Sequence, residues 1–293
     1  MNHRFFTLTT TAALLATALV AGCSDEDDAT DTVGTSSLTL SLEGLEPLGD
    51  GFVYEGWFIV DGAPVTTGRF DVAVDQTEYT FEVDATEAAN TTAFVLTIEP
   101  AEGDDPAPSD VHVLGGDVID GSSTLTMSHM TALGVDLASS DGSFILETPT
   151  SMAADDAFAG IWYLEMTADG PAASLNLPEL PSGWAYEGWV VGEDGPVSTG
   201  VFTSIMGADS DGAGPTAGTD ADAPPFPGQD FVTPLVDLRG QMAVISVEPV
   251  PDDSPAPFAI KPLVGEIADE AGGVSQSLMN NAAAGPRGTA TIN

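Results

Sequence analysis

YEGWFIVDGAPVTTG, residues 54–68, returns as YEGWVVGEDGPVSTG, residues 186–200. Without a gap the copies share Tyr54/Tyr186, Glu55/Glu187, Gly56/Gly188, Trp57/Trp189, Pro64/Pro196, Val65/Val197, Thr67/Thr199 and Gly68/Gly200. Residue types as scarce as Trp and Tyr do not coincide at one spacing by chance. The chain is therefore a duplication, and its unit is the size of a domain rather than of a solenoid repeat. In an extended chain Tyr54, Gly56 and Phe58 face one way while Glu55, Trp57 and Ile59 face the other. The glycine leaves a gap on the pleat that a neighbouring side chain or backbone can enter. Turn sequences follow at 60–63 and 192–195, then Pro64 or Pro196 opens a returning segment that ends at Phe70 or Phe202. The pattern predicts a β-hairpin in each copy.

Working outward, Leu38, Leu40 and Leu42 alternate with polar residues at the period of a half-buried strand, and IWYLEM at 161–166 stands in the same place before the second copy. Downstream, FVLTIEP at 94–100 corresponds to AVISVEP at 243–249, and each leads into an acidic loop ending Pro-Ala-Pro, at 106–108 and 255–257. Leu114, Gly116 and Asp117 then fall opposite Leu263, Gly265 and Glu266. Two shared blocks in the same order mark homologous domains. From the Tyr to the Glu of Glu-Pro the distance is 45 residues in the first copy and 62 in the second. The additional residues fall near 207–228, a Gly/Ala/Asp/Pro segment expected to be a surface loop. FILET at 144–148 reads as a strand closing the first copy, with 278–293 as its eroded equivalent in the second.

The chain has 46 acidic residues against 5 basic ones, a net charge of -41, with 43% hydrophobic residues. An acidic disordered chain lacks that apolar content, so this one is expected to fold. Such a surface repels nucleic acid and anionic lipid. Adaptation to salt explains the charge, since bulk ions screen repulsion between exposed carboxylates. Frequent glycine (32) and proline (21) around short apolar runs suit an all-β protein rich in turns.

At the N-terminus a short basic start precedes an uncharged apolar run to Gly22, the layout of an export signal. The run is short for a bilayer span and meets SDEDD at 24–28. Val20-Ala21-Gly22-Cys23 resembles the lipobox of bacterial lipoproteins, which implies a lipid-modified Cys23 as the mature N-terminus. Cys23 is the only cysteine, so no internal disulfide is possible. Several acyl chains on one residue anchor stably where one does so marginally. The segment that follows, dense in like charge, reads as a tether. The expected organisation is a signal peptide at 1–22, an acidic flexible tether at 23–36, and β-sandwich repeats at 37–157 and 158–293.

The residues at 54–68 with 98–116, and at 186–200 with 247–265, resemble the extracytoplasmic domain of anti-sigma factors of the anti-sigma-K type. That family carries a Tyr-x-x-Trp strand, a Gly/Pro turn, a Pro-Val-x-x-Gly return, and a later strand ending in Glu-Pro before a Ser/Pro-rich loop and a short Leu-x-Gly strand. The resemblance implies a small β-sandwich, here two tandem immunoglobulin-like antiparallel ones. Family members also carry a cytoplasmic helical segment that grips the sigma factor and a membrane-spanning helix. A lipoprotein signal stands in their place here, so no direct sigma factor contact is expected.

Histidines His112 and His129 have no cysteine partners, so neither a zinc site of the usual composition nor a recognisable Ser-His-Asp nucleophile setting is present, and no cofactor or phosphate loop is expected. Glu55/Glu187 and Glu99/Glu248 recur and could serve as carboxylate pairs for glycoside hydrolysis, but duplication explains the recurrence and bonding to backbone turns explains the residues. Asp209, Asp211, Asp220 and Asp222 could hold calcium, yet lack EF-hand spacing and read better as a solvated loop. Trp57, Trp189 and Trp184 are core plugs or, on an edge strand, a binding face, with core preferred. The sequence thus points to a lipid-anchored, non-enzymatic binding or sensory protein of the bacterial cell envelope, with an envelope protein or ligand as partner and the outer membrane as one possible location. A structural or adhesive lipoprotein is the alternative and a carboxylate-based hydrolase a distant one. The residues singled out are Cys23 for lipidation and Tyr54, Glu55, Trp57, Tyr186, Glu187 and Trp189 as the repeat signature, structural or a binding face.

Overall fold

Leu38, Leu40 and Leu42 are buried along the first strand, as their alternation requires, because each side chain removed from water contributes about 1.5–3 kcal/mol. The computed structural model describes residues 34–252 and 254–293. The signal peptide, Cys23 and nearly all of the tether therefore lie outside the described residues. At its described end the tether gives way earlier than expected, since the first strand starts at Thr35.

The first half of the chain supplies β1 (Thr35–Glu43), β2 (Phe52–Val60), β3 (Ala63–Phe70), β4 (Glu78–Asp84), a short helix α1 (Ala85–Asn90), β5 (Thr91–Pro100), β6 (His112–Asp117) and β7 (Ser122–Thr126). Then come β8 (Asp141–Leu146) and β9 (Gly160–Trp162), followed by a separate hairpin of β10 (Leu164–Thr167) and β11 (Gly170–Ala173). A two-residue β12 (Leu175–Asn176) pairs with β8. The second copy continues with β13 (Trp184–Gly192), β14 (Gly195–Phe202), β15 (Gly228–Asp230), β16 (Met242–Pro249), β17 (Leu263–Glu266), β18 (Gln276–Asn280) and β19 (Arg287–Ile292).

These strands form two large antiparallel sheets in a sandwich- or barrel-like arrangement, so the protein is all-β as expected. One sheet runs β3-β2-β5-β6-β7-β19-β1-β4 and the other β14-β13-β16-β17-β18-β8-β9-β15. Position by position the two orders are equivalent, with one exchange. The strand beside β7 and β1 is β19 from the C-terminus, while β8, which follows β7 in sequence, lies between β18 and β9. Of the segment at 144–148, residues 144–146 become part of a strand, β8, which starts three residues earlier and closes the other copy's sheet.

The sheets consequently do not divide at 157/158. Strands from Asp141 to Asn280, apart from the β10/β11 hairpin, make the second sheet, and the first takes everything before them plus Arg287–Ile292. Val33–Asn293 is one compact unit, and one buried cluster runs from Leu38, Tyr54 and Phe94 to Phe144, Tyr186 and Ile245. Burying the apolar faces of both sheets in one core is what joins the repeats.

The hairpin β2/β3 turns through Asp61 (φ 51) and Gly62 (φ 80), the two positive φ values that a tight antiparallel connection needs. A Cβ on Gly56 would lie 2.9 Å from the Phe94 ring, and one on Gly188 2.8 Å from the Tyr163 ring, so the repeated glycine admits an aromatic ring against the strand in both copies. The insertion at 207–228 is irregular as expected, but it is not wholly solvated. Phe226 packs with Ile145, Trp162 and Leu164 in a small second core.

Candidate functional site

Each letter of the repeated Tyr-Glu-Gly-Trp has a structural task. The Tyr54 hydroxyl donates to the Glu46 carbonyl at 3.0 Å, and the Tyr186 hydroxyl donates to the Pro178 carbonyl at 2.7 Å. The tyrosine thus fixes the loop that leads into its own strand, while its ring stacks on Phe70 in one copy and Phe202 in the other. Glu55 accepts from the Thr66 hydroxyl, and Glu187 from the Ser198 hydroxyl, across the hairpin. Only Glu55 also has a cation, with Arg69 Nε 3.4 Å from its Oε2; Val201 stands opposite Glu187. Burial raises the Glu187 carboxyl above its ordinary value, and Ser198 works against that rise.

Trp57 and Trp189, each 3% exposed, start a relay. The Trp57 indole N–H donates to Thr97 Oγ1 at 2.8 Å, the Thr97 hydroxyl donates to Glu99, and Glu99 accepts the Ser109 N–H at 2.9 and 3.1 Å. In the second copy Trp189 donates to Ser246 Oγ at 2.7 Å, Ser246 donates to Glu248, and Glu248 accepts the Phe258 N–H at 2.9 and 3.2 Å. Burial pushes Glu99 up and takes Glu248 to about 7, against the hydroxyl and N–H bonds that favour the charged form. Glu99 and Glu248 thus hold backbone as expected, whereas Glu55 and Glu187 hold side-chain hydroxyls. All four recurring carboxylates are buried.

The loops held in this way meet. Between the two copies lies a cleft of about 660 Å3. One copy contributes Leu48 and Phe52 after the loop fixed by Tyr54, and Pro100 and Val111 flanking the loop fixed by Glu99. The other contributes Pro249, Val250, Pro255 and Phe258, on either side of the loop fixed by Glu248. The walls are joined where the Ser182 hydroxyl donates to Asp110 Oδ2 at 2.9 Å. Gly183, at φ +85, passes so close to Asp110 that a Cβ would sit 2.8 Å from its carbonyl group, so no other residue fits there. Glu46, Asp110 and Asp252 bring carboxylates to the cleft. Glu46 is raised by burial and drawn back by the charge of Lys261, whose Nζ donates to the Phe258 carbonyl at 2.6 Å. Of the signature residues, the tyrosines and tryptophans therefore brace loops that line the cleft, Glu55 and Glu187 tie their own hairpins, and all six are buried.

The remaining sequence candidates meet only in pairs, Asp209 beside Asp211 and His112 with His129 on Thr131. Asp209 Oδ2 accepts the Gly228 N–H at 2.8 Å and its carboxyl is raised by burial, while Asp220 accepts the Met152 N–H. His112 bonds the Thr131 carbonyl and His129 the Thr131 hydroxyl. Among the described residues no three His, Cys, Asp or Glu side chains gather as a metal set, and no helix is long and apolar enough to cross a membrane. The cleft itself is not legible in the sequence, although the Glu-Pro and Pro-Ala-Pro blocks that build it both are.

Residues 9–112 match the family model of the anti-sigma-K factor rskA, C-terminal. That stretch is similar to the family and holds the first Tyr-Glu-Gly-Trp hairpin together with the first Glu-Pro and Pro-Ala-Pro block. The second copy, outside the matched residues, repeats the same relay. No curated protein and no solved structure gives a match.

Proposed function

We propose that the protein is a binding or sensory component of the bacterial cell envelope, non-enzymatic, exported, and held at the membrane surface by lipid on Cys23. Its outer body is anti-sigma-factor-like, and the similarity over residues 9–112 supports a membrane-associated regulatory role exercised through another envelope protein or ligand, without contact to a sigma factor. One observation carries the reading: in both copies the recurring Tyr, and the relay from Trp to the Glu of Glu-Pro, hold loops that line one shared cleft. That is the arrangement of a preformed binding body, in which rigid supports present concave surface.

Envelope crosslinking followed by affinity capture of the tagged chain tests it, with Cys23→Ala as the anchoring control. The variant is expected in the soluble fraction, and the native protein is expected to bring down one stoichiometric envelope protein. Capture of matrix or polysaccharide instead would establish the adhesive alternative. Glycan hydrolysis lost in Glu55→Gln and Glu187→Gln would establish the hydrolase.

A further inference from the structure

We infer that the cleft between the repeats binds a small organic cation with an apolar body. The inference rests on the binding reading and names the ligand class for it. A volume of about 660 Å3 falls within the range that encloses small molecules, about 300–1,000 Å3. Its floor is apolar, with Ile98, Val111 and Phe258 buried and Phe52 half-buried. Burying an apolar body there returns about 25 cal/mol per Å2 removed from water.

The walls are also preorganised. Proline fixes its own φ, and Pro100 and Pro249 follow directly on Glu99 and Glu248, whose carboxylates clamp the loops beyond them. Little ordering cost is then left for the moment of binding.

Charge selects among apolar ligands. Glu46 and Asp110, with Asp252 at the rim, bring carboxylates to the cleft, and Lys261 lies beside Glu46, in a chain of net charge -41. A cleft with low-dielectric walls concentrates such a field, which attracts a cation and turns away an anion of the same shape. The carboxylates sit at the half-buried and exposed positions while the apolar side chains sit deeper, so a ligand with one charged end and one apolar end satisfies both layers.

Titration calorimetry of the full chain in molar sodium chloride tests this, because bulk salt suppresses diffuse cation uptake by the surface. The probes are 4-phenylbutylammonium, 4-phenylbutanol and 4-phenylbutanoate, which share a body and differ in charge. The ammonium ion is expected to bind saturably at one site, at least tenfold tighter than the alcohol, and the carboxylate not to bind. Glu46→Gln with Asp110→Asn should weaken the ammonium ion at least tenfold. Glu165→Gln with Asp169→Asn, on the β10/β11 hairpin outside the cleft, should leave it unchanged. Val250→Trp places bulk at a half-exposed lining position and should abolish binding, with a retained thermal midpoint showing that the fold survives. Non-saturable uptake, equal affinity for the alcohol, or equal losses from the two double variants would overturn the inference. If the cation fails to bind while envelope capture still recovers a stoichiometric protein, the ligand class falls and the binding reading stands. If the cation binds and capture recovers none, the reading loses its protein partner while the cleft assignment holds.

Discussion

At Glu248 a single buried carboxyl couples folding to pH. Burial takes its carboxyl from an ordinary 4.5 to about 7 in the folded state. The folded protein then keeps a proton that the unfolded chain has already lost between those values. Stability contributed by this group is complete below about pH 4.5 and declines as the pH rises to about 7, by about 3 kcal/mol at ~1.4 kcal/mol per unit. Asp209, raised to about 7 by burial, shifts in the same direction and adds a comparable slope, and Glu99 and Glu187 add to it as well. Thermal midpoints between pH 4.5 and 7.5 are expected to fall in the native protein and to fall less steeply in Glu248→Gln, with the remaining slope carried by Asp209 and the other raised carboxyls. An unchanged slope in the variant would assign it to other groups. The sequence shows that these glutamates recur, and its turn-rich flanks indicate that Glu99 and Glu248 serve backbone. It does not show the cleft behind which they stand, because Val111 and Phe258 are far apart in the chain and neither belongs to a motif.

Strands are legible one at a time, and their partners are not. The alternation of Leu38, Leu40 and Leu42 tells which face is buried, and Asp-Gly at 61–62 tells where β2 turns into β3, but a period of two residues carries no information about which strand lies alongside. Sequence order therefore places β8 and β19 in their own copies, when each lies in the sheet of the other. Helix α1 is illegible for a different reason: its capping signature, Asp84 accepting from the Thr86 and Glu87 N–H groups, opens only six residues. The exchange yields a prediction for β19, which pairs with β1 on one side and β7 on the other. A chain stopped after Gly285 would leave both neighbours with unpaired backbone in the middle of a sheet and the buried Leu38 and Leu125 without cover. Hydrogen exchange is expected to show loss of protection throughout β1, β4 and β7. Native protection there would mean that the first sheet closes without its donated strand.

For the molecule as a whole, charge governs the conditions under which the fold holds. The described arginines are all engaged, Arg69 with Glu55 and Asp104, Arg239 with Asp237 and Asp269, and Arg287 with Glu43. The exposed pairs, those of Arg239 and Arg287, contribute little, about 0–1 kcal/mol each, and three paired arginines are far outnumbered by the acidic residues of the chain. Added salt therefore screens more repulsion than attraction. The thermal midpoint is expected to rise from low to molar sodium chloride, and a flat profile would show that the acidic surface is indifferent to its ions. The excess of 46 acidic over 5 basic residues carries this property in the composition alone, with no need to know where any carboxylate sits. The reciprocal placement of β8 and β19 speaks to history. An ancestor with a single copy would have ended in a strand fitted to a neighbour's sheet, and two such polypeptides would have closed one another as a symmetric pair. Joining their genes end to end would turn that pair into the present protein, with the old subunit contact preserved as its cleft.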